Sequence, residues 1–174
     1  MKSTDLLSQD HKFILRSLDV LEEIAARVHT GDTMNSEDVE FILNFLRVFE
    51  DEHHQTKEES ALFPELMRCA EFEQKNLRQM LFEHDQERSL VDGLEEAIRT
   101  EKGMDFIRYT HRLCSILRNH IYKEEHLLFD IIETHSPKSR MRRSWPNSKN
   151  SIGVLEARKN VSYSAVFESW NGNI

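Results

Sequence analysis

Apolar residues recur every three or four positions through the first part of the chain. Leu7, Ile14, Leu15, Leu18, Leu21, Ile24 and Val28 line one stripe of a helix that begins near Thr4. The run from His29 to Ser36 breaks that period with Gly31 and offers Asn35 or Ser36 as an N-cap for a second helix. The second helix is predicted from about Glu37 towards Pro64, with Phe41, Ile42, Phe45, Leu46 and Phe49 on its apolar side. Pro64 has no backbone donor and restrains Phe63, so a kink or a stop is expected there. A third helix, from about Glu73 to Thr100, turns Leu77, Met80, Leu81, Val91, Leu94 and Ile98 inward. After Glu101, Lys102 and Gly103, a fourth buries Tyr109, Leu113, Ile116, Leu117, Leu127, Leu128 and Ile131. Long helices joined by short connections predict an all-α fold, an antiparallel up-down four-helix bundle over residues 1–135.

Composition narrows the function classes. Five Gly and three Pro are too few for the many turns of a β-sandwich or a doubly wound α/β sheet. No run of apolar residues is long enough to span a bilayer, and the opening MKSTDLLSQDHKF has no apolar core of a signal peptide, so a cytoplasmic protein is expected. A net charge of −8 argues against non-specific binding to nucleic acid or anionic membrane. That charge is unevenly placed: residues 136–174 hold seven Lys or Arg against two Glu, a local +5, which leaves −13 on the first 135. The basic segment 136–174 shows no apolar period and is expected to be a disordered tail. Cys69 and Cys114 have no C-x-x-C spacing, so neither a disulfide scaffold nor a thiolate zinc site is supported. Nine His are the anomaly.

The His fall into a repeat. The second helix reads H-x-x-K-E-E-x-x-L-F from His54 to Phe63, and the fourth reads the same from His120 to Phe129. The other two helices match as well: Asp10-His11 is followed by Leu21-Glu22-Glu23, and Glu83-His84 by Leu94-Glu95-Glu96. The chain therefore reads as a duplicated helix pair. Residues i and i+4 stand one above the other on a helix, so His54 with Glu58, and His120 with Glu124, can reach one metal ion or two adjacent ones. His120 and Glu124 interrupt an apolar seam, and so do His11 between Leu7 and Leu15 and His84 between Leu81 and Val91. Buried carboxylates are costly unless a cation neutralises them. Four inward His and two inward Glu describe a dinuclear centre with Glu58 and Glu124 as bridges. Nitrogen and oxygen donors suit iron, manganese or zinc, and a His-rich set with bridging carboxylates leans to iron.

These motifs, Asp10-His11, His54-x-x-x-Glu58 running into Leu62-Phe63-Pro64, Glu83-His84 and His120-x-x-x-Glu124, resemble the hemerythrin-like family, or HHE cation-binding domain, over residues 4–135. The resemblance implies a non-haem di-iron site with His11, His54, Glu58, His84, His120 and Glu124 as ligands. It also implies a protein that binds or senses O2 or handles iron. Oxygen-carrying members have a second His four residues from the first on the third helix, whereas Met80 and Arg88 flank His84 here. Glu87 or water is left to complete the set, which makes simple oxygen transport a poorer expectation. The alternative is a di-iron oxidase or peroxidase-type enzyme, or an iron-handling stress protein; no residue is assigned a catalytic role. His29, His53, His111, His126 and His135 are expected to be solvated or capping. Lys57, Glu59, Lys123 and Glu125 are expected on solvated faces, although Glu59 or Glu125 could hydrogen-bond a ligand imidazole.

Overall fold

The computed structural model describes residues 3–32, 36–69 and 74–135. The basic segment 136–174 and the N-cap predicted at Asn35 or Ser36 lie outside the residues and side chains described. Helix α1 is Ser3–His29. Helix α2 spans 36–66: Ser36–Phe45 is α-helical, Leu46–Gln55 and Glu58–Leu62 are wound in the wider π form, and Phe63–Leu66 returns to α. Helix α3 is Gln74–Arg99. Helix α4 spans 103–135, with Gly103–Lys123 and Phe129–His135 α-helical and Glu124–Leu128 a π turn between them. Among the described residues all regular structure is helical, a bundle of four helices, and no helix is long and apolar enough to cross a membrane.

Gly31 ends α1 with φ of 97°, a conformation an L side chain resists, while the Gly31 and Asp32 amides donate to the last carbonyls at Val28 and Arg27. Pro64 does not stop α2 where it stands, and the helix runs on to Leu66. The proline falls in the first turn of Phe63–Leu66, where a missing N–H is no loss. Gly93 lets α3 approach α4, because a Cβ there would meet the Tyr109 ring at 3.0 Å.

Two apolar clusters fill the interior. The larger gathers Ile14, Leu18 and Leu21 of α1, Ile42, Phe45 and Phe49 of α2, Val91 and Leu94 of α3, and Phe106, Leu113 and Leu117 of α4. The smaller gathers Leu7, Leu62, Phe63, Leu66, Met80, Leu128, Phe129 and Ile132. Each helix contributes to both, and the stretch between its two contributions carries buried polar residues. That layer positions the site. Leu81 and Leu127, expected inward, are 37% and 55% exposed. For Leu127 the cause is the π turn that begins at Glu124: its wider winding carries Leu127 outward and keeps Leu128 and Phe129 on the core side.

Candidate metal centre

All six residues singled out in the sequence meet in this layer, each no more than 3% exposed. They form two groups of four, His11, His54, Glu58 and Glu124 in one, and Glu58, His84, His120 and Glu124 in the other, with ligand atoms inside each group within 4.8 Å of one another. The two carboxylates are common to both. Glu58 presents Oε1 3.0 Å from His54 Nε2 and Oε2 3.3 Å from His84 Nε2. Glu124 presents Oε2 3.1 Å from His11 Nε2 and Oε1 3.3 Å from His120 Nε2. Each Glu thus extends one oxygen to each half. Both of these Glu open π turns, a distortion that tends to occur at functional sites.

The outer ring nitrogens fix how the imidazoles point. His11 Nδ1 donates to Glu125 Oε1 at 2.8 Å, and His84 Nδ1 donates to Glu59 Oε1 at 2.7 Å. His120 Nδ1 donates to Glu83 Oε2 at 2.9 Å, and His54 Nδ1 reaches Asp10 Oδ2 at 3.4 Å. A carboxylate only accepts, so each Nδ1 carries the proton and each Nε2 faces the centre. Phe129 stacks on His11 with ring centroids 5.8 Å apart, and Phe63 stacks on His84 at 5.6 Å. The L-F of the repeat is thereby explained, and so are its K and second E. Lys57 donates to Asp10 at 2.7 Å and is itself only 3% exposed, and Lys123 pairs with Glu83. The expectation of a solvated face is therefore corrected for Lys57, which is buried, while Glu59, Lys123 and Glu125 are half-buried and the hydrogen bond expected from Glu59 or Glu125 to a ligand imidazole is present at both. Amphipathic patterning reports burial of apolar groups and is silent on charged side chains paired across helices. His29, His111, His126 and His135 are exposed, as expected, and His53 is half-buried against Phe49.

Several buried atoms ask for a cation. His11 Nε2 and His54 Nε2 stand 3.1 Å apart, as do His84 Nε2 and His120 Nε2. With Nδ1 protonated, those are lone pair against lone pair. All four oxygens of Glu58 and Glu124 are buried without a hydrogen-bond partner. Nitrogen and oxygen donors about 3 Å apart have the separation of neighbours that share one ion with bonds of about 2.1 Å. Each group of four therefore fits a metal ion, and the Glu58 and Glu124 carboxylates are common to both groups.

Without a cation, protons take that role. Burial alone would lower His54, but the Glu58 carboxylate and Asp10 push it up to about 10. Burial opposes protonation of His11 and His120 as well, yet Glu124 together with Glu125 or Glu87 raises both. Burial would raise Glu58, and the His54 and His84 rings hold it well below the usual carboxylate range. Glu124 is lowered too, His120 and His11 prevailing over burial and the Glu58 charge.

A second polar group lies beside the centre. Gln55 Nε2 donates to Glu50 Oε1 and, at 2.8 Å, to Glu87 Oε2. Glu87 Oε1 is 4.0 Å from His120 Nδ1. Burial pushes both carboxyls up to about 8; the Glu87 charge adds to this at Glu50, while at Glu87 the His120 charge opposes it. Glu87 was foreseen near the site, whereas Glu50 and Gln55 were not; the signal available was that both break an apolar stripe.

Glu125→Ala or Glu59→Ala, which strips the acceptor from one imidazole, is expected to weaken metal binding about 10- to 100-fold while leaving helicity intact. Titration of the metal-free protein followed by circular dichroism checks this, and equal affinity in both variants and wild type would count against the orienting role.

The family model described as hemerythrin HHE cation binding domain matches residues 2–132. No curated protein and no solved structure matches the chain.

Proposed function

Because the chain belongs to the hemerythrin HHE cation-binding family, we propose that it holds two iron ions and there binds or senses O2 or a related small oxidant. His11 and His54 would hold one ion, His84 and His120 the other, with Glu58 and Glu124 bridging them. The observation that carries this reading is the pair of buried carboxylates whose four oxygens have no hydrogen-bond partner and face the two pairs of imidazoles. Zinc or manganese fits the same donors and is the substitute to be tested. Bound iron supplies electron exchange and coordination positions that the protein leaves open. The chain's own residues do the rest: Asp10, Glu59, Glu83 and Glu125 orient the imidazoles, and the two apolar clusters keep bulk water from the layer.

The helices are read as up-down neighbours. Helices α1 and α3 run from the smaller cluster through the polar layer to the larger one, and α2 and α4 run the opposite way, which supports an antiparallel order. Residues 1–135 are proposed as the working domain, with 136–174 an appended basic tail, in a cytoplasmic protein that engages neither nucleic acid nor membrane.

Metal analysis of the purified full chain, with absorption spectra of the anaerobically reduced protein before and after air, tests the reading. Two irons per chain and new charge-transfer bands on exposure to air are expected, and reversal on degassing would mark binding. Many cycles with an electron donor would instead mark the oxidase or peroxidase-type alternative. No bound metal and none taken up on reconstitution would overturn the proposal.

A further inference from the structure

The duplication makes an internal comparison possible. Residues of α3 correspond to those of α1 at an offset of 73, as His84 does to His11, and residues of α4 correspond to those of α2 at an offset of 66, as His120 does to His54. On that mapping Glu87 corresponds to Ile14, Glu50 to Ile116 and Gln55 to Ile121. Ile14 and Ile121 are buried and Ile116 packs against the larger cluster. The bundle therefore closes with isoleucine at all three places. On the α2–α3 side alone, three polar side chains replace them and join through Gln55, although Glu50 is 3% and Glu87 0% exposed. Burying two carboxyls where an apolar side chain suffices is destabilising, so a requirement of the site is the physical reason to keep them.

Glu87 is held in an unusual way. Gln55 fixes Oε2, and Oε1 is buried without any hydrogen-bond partner, 4.0 Å from the outer nitrogen Nδ1 of His120 and one side-chain rotation from the group that His120 and His84 form. The charges point the same way. Among the described residues, buried Asp10, Glu65 and Glu83 each pair with a Lys or Arg, whereas Glu50, Glu58, Glu87 and Glu124 form no such pair. Four carboxylates without a cationic partner match the charge of two divalent ions. The six ligands alone would leave two positive charges in an apolar layer. They would also give each ion only four protein donors.

We propose that Glu87 is a seventh protein ligand, its Oε1 turning onto the ion held by His84 and His120, with Gln55 and Glu50 as the group that positions it. This rests on the di-metal reading above and deepens it. The two ions are then unlike: one has two imidazoles and two shared carboxylates, and the other has a carboxylate of its own besides. Two ions with equal nitrogen donors but one oxygen donor more on one than on the other make a centre with a built-in direction for an incoming small oxidant.

The test is anaerobic titration of the metal-free full chain with Co(II) alone, in wild type, Glu87→Gln and Glu87→Ile. The Gln variant keeps the side chain's shape, and the Ile variant copies the residue at the equivalent place in α1; circular dichroism checks that each is folded. Wild type is expected to bind two Co(II) per chain. Both variants are expected to keep one ion at full affinity and to lose at least about 10- to 100-fold for the other. The ligand-field absorption of that weakened ion should also grow more intense, as it does when cobalt loses a ligand. Two unchanged binding steps with an unchanged spectrum in a folded variant would overturn the Glu87 assignment and leave the di-metal reading in place. Failure of wild type to take up Co(II) would overturn both.

Discussion

Glu124→Gln is expected to release both metal ions, whereas His11→Ala or His54→Ala releases the one in its own half. The difference follows from where the oxygens lie: Glu124 Oε2 is 3.1 Å from His11 Nε2 and Oε1 is 3.3 Å from His120 Nε2, so one side chain serves both groups. Metal that binds only the folded chain stabilises it by about 2.7 kcal/mol per site at a hundredfold excess over the dissociation constant, so losing both sites removes about 5 kcal/mol. The metal-free protein is expected to lose stability too, by another route. There Glu124 balances the raised His11 and His120 rings, whose effect prevails over burial and the Glu58 charge. Thermal melts with and without metal therefore separate a ligand from a residue that merely packs: the gain on adding metal vanishes in Glu124→Gln, whereas a packing variant keeps that gain on a lowered metal-free melting temperature. Retention of one ion at full affinity in this variant would sink the bridging assignment.

The second large effect is a pH dependence that metal should abolish. Glu50 and Glu87 titrate at about 8 in the fold against an ordinary 4.5, so the folded chain keeps protons that the unfolded chain has lost. Their contribution is full below pH 4.5 and is lost as pH rises to about 8. His54, raised from 6.5 to about 10, has the same sign: its contribution is full below pH 6.5 and fades towards pH 10. Glu58 and Glu124 are lowered, so theirs is present above pH 4.5 and fades as pH falls. The metal-free chain is thus expected to be most stable near about pH 5 and to weaken on the alkaline side, by about 1.4 kcal/mol per pH unit for each group inside its window. Metal replaces those protons, so the loaded chain should hold its stability to higher pH and the gap between the two melting curves should widen from pH 5 to 9. Curves that stay parallel over that range would contradict the protonation scheme.

The four helices and the six inward residues were legible in the sequence because both follow from the 3.6-residue period and from a repeat in which His and Glu interrupt apolar seams. What escaped has two physical causes. The straight α-helical period carries no sign of the π turns, and from Glu124 onward it assigned Leu127 to the core although the wider winding turns it out. Charged side chains also give no period of their own. The sequence pattern sets Lys57 on a solvated face, yet α1 brings Asp10 against it and the two bury each other. For Glu59 and Glu125 the sequence offers a hydrogen bond to a ligand imidazole, and the packing of α3 and α1 decides which ring each one meets. The Glu50–Gln55–Glu87 group needed the pairing of α2 with α3, which no single stretch of sequence contains.

The outer hydrogen bonds also cross the duplication: the α1 imidazole is held by Glu125 of α4, and the α3 imidazole by Glu59 of α2. Each ion would in turn draw on three different helices. No single hairpin can then swing aside with its cargo, and an ion escapes only when the helix pairs part from each other. Residence time thereby becomes tied to breathing of the whole bundle, so the protein can be slow to exchange metal even where its equilibrium affinity is ordinary.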